Sequence, residues 1–190
     1  RCLGNGQYEV TLRVYRDCNG IQLGNTPVQA RCASGGSTIN LNLPKVSQRD
    51  ITGIDASCPI QSRCSGSFQY GVEEHVWKGV VNLSSLNCCK VILSWSECCR
   101  NGNITTGPSG QNFWTSAELD KCVSPCNSSP DFTNPPVAII CHNQDYIFNN
   151  GALDTNDQGD SLSYSLVAGK QAQGQDVTYG GSFSPTRPLT

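Results

Sequence analysis

An all-β fold, built as a disulfide-stapled sandwich, follows from three features of the sequence. Apolar residues alternate with polar ones at several points along the chain, the period of a half-buried strand. Turn formers are plentiful, with 19 glycines and 10 prolines in 190 residues beside abundant Ser, Thr and Asn. Twelve cysteines, an even number and far more than an intracellular protein keeps reduced, imply an oxidising compartment and a disulfide framework.

The clearest strand comes first. Tyr8, Val10, Leu12 and Val14 alternate with Gln7, Glu9, Thr11 and Arg13, and Asp17-Cys18-Asn19-Gly20 closes the run with the residues a tight hairpin turn needs. Ile39, Leu41 and Leu43 repeat the alternation until Pro44. Residues 68–83 mix aromatic and β-branched residues around Gly71 and Gly79, which predicts two strands. Residues 101–108 read as loop, Asn112-Phe113-Trp114-Thr115 as a short strand, and Ser116 as the cap of a single helical turn or the start of a solvated face carrying Glu118 and Asp120.

Between these lies the stretch expected to organise the fold, Cys88-Cys89-Lys90-Val91-Ile92-Leu93-Ser94-Trp95-Ser96-Glu97-Cys98-Cys99. Its β-branched and aromatic middle predicts a buried central strand, and adjacent cysteines on a strand send their sulfurs to opposite faces. That divergence argues against a zinc site, whose cysteines usually stand two to four residues apart. Pairings among twelve cysteines number roughly ten thousand. Proximity suggests Cys58 with Cys64, Cys122 with Cys126 and Cys18 with Cys32, leaving Cys2, Cys88, Cys89, Cys98, Cys99 and Cys141 to find partners elsewhere.

A stapled linker, Cys122-Val123-Ser124-Pro125-Cys126, precedes an expected boundary that divides the chain into residues 1–130 and residues 131–190. Strand-like runs restart at Val137-Ala138-Ile139-Ile140-Cys141, Gln144-Asp145-Tyr146-Ile147-Phe148 and Leu162-Ser163-Tyr164-Ser165-Leu166. The pattern of Asp154, Asn156, Gly159, Asp160, Leu162 and Tyr164 resembles the opening of cadherin-like and immunoglobulin-type modules. The expected architecture is therefore a tandem of immunoglobulin-like sandwiches, the second incomplete or completed by another chain, since a full sandwich needs about 100 residues.

Cys2-Leu3-Gly4-Asn5-Gly6-Gln7-Tyr8-Glu9-Val10, then Val14-Tyr15-Arg16-Asp17-Cys18, Cys98-Cys99-Arg100-Asn101 and Asp160-Ser161-Leu162-Ser163-Tyr164 together resemble the N-terminal region of large secreted surface proteins of gliding, Bacteroidetes-type bacteria. The resemblance covers nearly the whole chain and implies an adhesive or structural role at the cell surface. It also implies that the chain is part of a longer one, which the start at Arg1 and the lack of methionine likewise suggest.

Chemistry is sparse in the sequence. The two histidines, His75 and His142, fall in different expected modules and in no metal-binding spacing, and Glu73 and Glu74 beside His75 read as solvated charges. Net charge is -2 with 15% charged residues, so no basic footprint for nucleic acid exists, and no apolar run is long enough to span a bilayer. Asp154, Asn156, Asp157 and Asp160 form the one small-ligand candidate, read either as a calcium loop of hard oxygen donors or as a polar turn rich in Asp, Asn and Gly for backbone reasons. The expectation is an extracellular, non-catalytic structural protein of an adhesin or filament, pairing head to tail with other copies by strand addition through residues 178–190 or completed by its parent chain. The alternative is a module binding surface glycans through Trp77, Trp95 or Trp114.

Overall fold

The structure is a computed structural model that describes residues 1–25, 27–53, 61–137, 145, 147–149, 151–154 and 160–187. Its strands are β1 (Cys2–Gly4), β2 (Gln7–Asp17), β3 (Val28–Cys32), β4 (Thr38–Leu41), β5 (Lys45–Asp50) and β6 (Val72–Asn82). They continue with β7 (Lys90–Glu97), β8 (Phe113–Asp120), β9 (Asp131–Phe132), β10 (Ala152–Leu153), β11 (Lys170–Ala172) and β12 (Gln175–Asp176). The described residues contain no helix, and every strand pair is antiparallel.

Two sheets face each other. One has the order β1-β2-β6-β5, the other β12-β11-β8-β7-β3-β4. Tyr8 and Val10 of the first sheet meet Val28, Ala30, Leu41, Val91 and Trp95 of the second in one core, joined by Leu83 and Leu86 from the loop after β6. The alternation of β2 is the reason: Tyr8, Val10, Leu12 and Val14 share the inward face, so burial of that face fixes the register. Gly4, Asn5 and Gly6 all take positive φ, which lets the chain fold β1 back onto β2 within two residues.

Several expectations change. Residues 72–82 form one long strand rather than two, because β6 pairs along its length with β2 and on its other side with β5, a strand unmarked by any apolar alternation. Asp17 and Gly20 do close a turn, Gly20 N–H donating to Asp17 C=O at 2.8 Å, but no hairpin follows: the chain crosses to the other sheet and β2 takes β6 as neighbour. The segment at Ser116 is strand, not a helical turn, since β8 runs in register with β7 through Lys90↔Asp120.

β7 does sit inside its sheet, between β3 and β8, and the adjacent cysteines before it diverge as expected. Cys88 bonds Cys32 and Cys89 bonds Cys122. Cys98 and Cys99, by contrast, bond each other across a cis peptide. The remaining described bridges are Cys2–Cys126 and Cys18–Cys64. All three proximity pairings are therefore overturned: Cys64, Cys122 and Cys126 each reach a partner on a different element, because the strands bring distant residues closer than loop neighbours. Cys58 and Cys141 lie outside the described residues.

Past residue 130, β9 and β10 pair only with each other, while β11 and β12 return to extend the six-stranded sheet, Lys170 pairing with Trp114. The run around Tyr164 forms no strand; Leu162, Tyr164, Leu166 and Val167 are all exposed. Residues 137–148 fall largely outside the described set. Of residues 178–190, the described part lies on its own chain: Thr178 N–H donates to Gln111 Oε1 (2.9 Å) and Gly180 N–H to Thr106 C=O (3.0 Å).

Candidate functional site

The largest concentration of buried charge lies where the sequence suggested solvated charges. Glu73, Glu74 and His75 on β6 are 8%, 2% and 2% exposed. Strand alternation sends Glu73, His75 and Trp77 to the inward face and Glu74 to the outer face. The register then supplies their partners, for Arg16 stands opposite Glu73 and Tyr15 opposite Glu74 on β2, with Gln48 opposite His75 and Arg49 opposite Glu74 on β5.

On the inward face, the Arg16 guanidinium pairs with Glu73 and also donates to the turn, from Nε to Ile21 C=O (2.5 Å) and from Nη2 to Gly20 C=O. Gln48 Nε2 donates to the other oxygen of Glu73 at 2.7 Å. Burial opposes ionisation of Glu73, but hydrogen bonds from Gln48 and Arg16, with His75 close by, outweigh it and hold the carboxyl below its ordinary range. His75 Nε2 is 3.1 Å from Glu73 Oε1 but off the line of a ring N–H bond, so neither ring nitrogen has a well-directed partner among the described residues. Its ring stacks on Trp77 at 5.8 Å and 19°, and the Lys45 ammonium of neighbouring β5 lies 5.6 Å from the Trp77 ring.

On the outer face, Glu74 accepts from Arg49 Nε (2.7 Å), Arg13 Nη1 (3.2 Å) and the Tyr15 hydroxyl (3.4 Å). Burial again pushes its carboxyl up, and the two arginines more than reverse that, leaving it below the usual range. Burial and the Glu74 charge push the Tyr15 hydroxyl up. Glu73 is thus shared between one buried cation and a neutral carboxamide, and Glu74 between two arginines and a phenol. Among the described residues no hydroxyl or thiol hydrogen-bonds His75, and the paired charges of the cluster link β2, β5 and β6.

The remaining candidates are the acidic loop and the tryptophans. Asp154 is half-buried with Oδ1 unpartnered, whereas Asp160 is exposed and accepts from Asn127 Nδ2 at 3.3 Å. Asn156 and Asp157 lie outside the described residues, and among the described ones no group of three His, Cys, Asp or Glu is placed to hold a metal. Trp77 and Trp95 are 8% and 4% exposed and face inward, so neither offers a surface to a glycan; Trp114 is partly exposed on the outer face of the six-stranded sheet.

Two clefts accompany these residues. One, of about 460 Å³, opens at the end of the sandwich between Tyr8, Leu86, Lys121 and Pro125. Two of its polar side chains are already engaged: Lys121 Nζ donates to Leu86 C=O (2.6 Å) and Leu83 C=O (3.2 Å), and the Tyr8 hydroxyl to Pro125 C=O (2.9 Å). The other, of about 110 Å³, is lined by Pro27, Gln29, Ser94, Ser96 and Trp114. No helix among the described residues is long and apolar enough to cross a membrane. Compared with known proteins, the chain matches no family model, no curated protein and no solved structure.

Proposed function

We propose that the chain is an extracellular structural module of a bacterial surface adhesin or filament, which contacts other copies of itself by strand addition and transforms no substrate. The observation that carries this reading is the covalent framework. Four bridges tie the start of the chain to residue 126, the turn after β2 to the loop before β6, and the two cysteines ahead of β7 to β3 and to the turn after β8, while a fifth joins the adjacent Cys98 and Cys99. Such stapling suits an oxidising exterior. The tight neutralisation of Glu73 and Glu74 supports a load-sharing role over a catalytic one. The immunoglobulin-like character of the sandwich belongs to the same proposal, supported by the way the chain changes sheet between β2 and β3 and again between β6 and β7.

Association has support on both sides of the contact. β5 ends its sheet with all six residues exposed and no strand beyond it among the described residues, which leaves backbone N–H and C=O groups open for pairing. The run Leu162-Ser163-Tyr164-Ser165-Leu166 alternates apolar and hydroxyl side chains yet pairs with nothing in the described structure, so it has the pattern of a donated strand. Sedimentation velocity of the unreduced protein over a wide concentration range tests the reading. Concentration-dependent association that Tyr164→Asp abolishes is expected. A monomer at every concentration overturns it, as does hydrolase or transferase turnover that Glu74→Gln or His75→Ala removes.

A further inference from the structure

Trp95 lies in the core, so its strand neighbours Ser94 and Ser96 face the other way, onto the outer surface of the six-stranded sheet. The register sets them in two rows there. Gln29, Ser94 and Ser116 form one, and Ser96, Trp114 and Lys170 the next, with Pro27 ahead of β3 closing the cleft. Ser94 is only 6% exposed, and its hydroxyl makes no hydrogen bond to a described residue although it borders the cleft. The oxygen itself is not sealed off, so it opens on the cleft and is left to water or to a ligand.

We propose that this cleft is a binding site for one sugar unit of a neutral saccharide chain. Every lining group is uncharged: an indole and a pyrrolidine ring offer apolar faces, and two hydroxyls and a carboxamide both donate and accept. That combination matches a pyranose, which has an apolar C–H face and a rim of hydroxyls. Lys170, in the row of Trp114, is committed to Asp176, and Arg31, in the row of Ile92, is not among the lining residues, so no free cation lines the cleft. About 110 Å³ is roughly a third of the ~300 Å³ at which sites for drug-sized ligands begin. One ring enters, and the rest of the saccharide lies across the sheet. A peptide fits less well, because the positions beneath the cleft, Gln29, Ser94 and Trp114, are each paired on both sides, and an apolar side chain would strand the Ser94 hydroxyl.

The site rests on the surface-contact reading above and gives that contact a target. The test is titration of the unreduced protein with cellohexaose, chitohexaose and mannohexaose, followed by intrinsic fluorescence and calorimetry, with a heparin hexasaccharide and a phenylalanine-containing pentapeptide as controls. At least one neutral hexasaccharide is expected to bind, and Trp114→Ala to weaken it at least about tenfold, the worth of one packed aromatic contact. Gln29→Ala and Ser96→Ala should each weaken binding with melting temperature unchanged, which covers the case where Trp114→Ala fails to fold. Binding by none of the three neutral sugars, binding of the anionic sugar or the peptide instead, or binding indifferent to all three substitutions overturns the site. Self-association measured in the same samples shows separately whether the structural reading stands.

Discussion

Replacing Arg16 by Met removes one charge from a buried pair while keeping most of the side-chain volume. The side chains of Arg16 and Glu73 are 7% and 11% exposed, so the carboxylate left behind cannot turn to water and faces only Gln48 and His75. Breaking such a pair from one side costs about 3–5 kcal/mol, a large part of the ~5–15 kcal/mol that a domain has in total. Arg49→Met is the matched control. That side chain is 61% exposed and Glu74 keeps Arg13 and Tyr15, so the loss should stay below about 1 kcal/mol. The double variant Arg16→Met/Glu73→Gln should recover most of the stability, since no buried charge is then stranded. Urea unfolding at neutral pH with disulfides intact, read as midpoints at constant slope, gives all three values. Equal costs for Arg16→Met and Arg49→Met, or a double variant that is simply additive, would refute the reasoning.

Acid should destabilise the protein. Glu73, Glu74 and Asp50 have folded-state carboxyls held below their ordinary range, so their contribution is complete above the unfolded values near pH 4–5 and is lost as pH falls through the folded ones. Tyr8 and Tyr15 are shifted upward, so their contribution is present below about pH 10 and fades above it. Melting temperature against pH should show a plateau between these limits, and a profile flat well into acid contradicts the network. Among the bridges, Cys2–Cys126 spans 124 residues and Cys89–Cys122 spans 33, worth about 4.9 and about 3.8 kcal/mol by loop-closure entropy. Serine pairs at each should rank in that order by denaturation, and the reverse order rejects the entropic account. Gly107→Ala, at φ +118° with its new methyl against the backbone of Gly180, should dislodge the segment after β12. Faster amide exchange at Gly180, whose N–H donates to Thr106, is the readout, and unchanged exchange contradicts it.

What was legible in the sequence was whatever depended on one strand at a time. The alternation around Val10 and the apolar middle of β7 revealed buried faces because burial of a face is a local pattern. β5 was missed because an exposed edge strand such as Lys45-Val46-Ser47-Gln48-Arg49-Asp50 carries no such pattern. The charge network was missed for a related reason: Glu73 and Glu74 are costly to bury alone, and only the register of β6 against β2 and β5 shows that Arg16, Arg13 and Arg49 wait opposite. A signal was nonetheless present, in cations at Arg13 and Arg16 on one strand and adjacent acids on another. The disulfides were misjudged because proximity along the chain was used where proximity across sheets decides.

The bridge from Cys2 to Cys126 also determines how the molecule would carry tension. A pull applied through Arg1 and the residues after Cys126 passes through one S–S bond and bypasses everything between. The 124 residues of that separation, which would otherwise pay out roughly 400–450 Å of extended chain, are removed from the line of force. Both faces of the core lie within this unloaded loop, so the core can keep its shape while β11 and β12 peel from their one pairing with β8 and the chain after Cys126 stretches. The module would behave as a rigid bead on an extensible leash, with stiffness set by covalent connectivity instead of by the strength of its sheets.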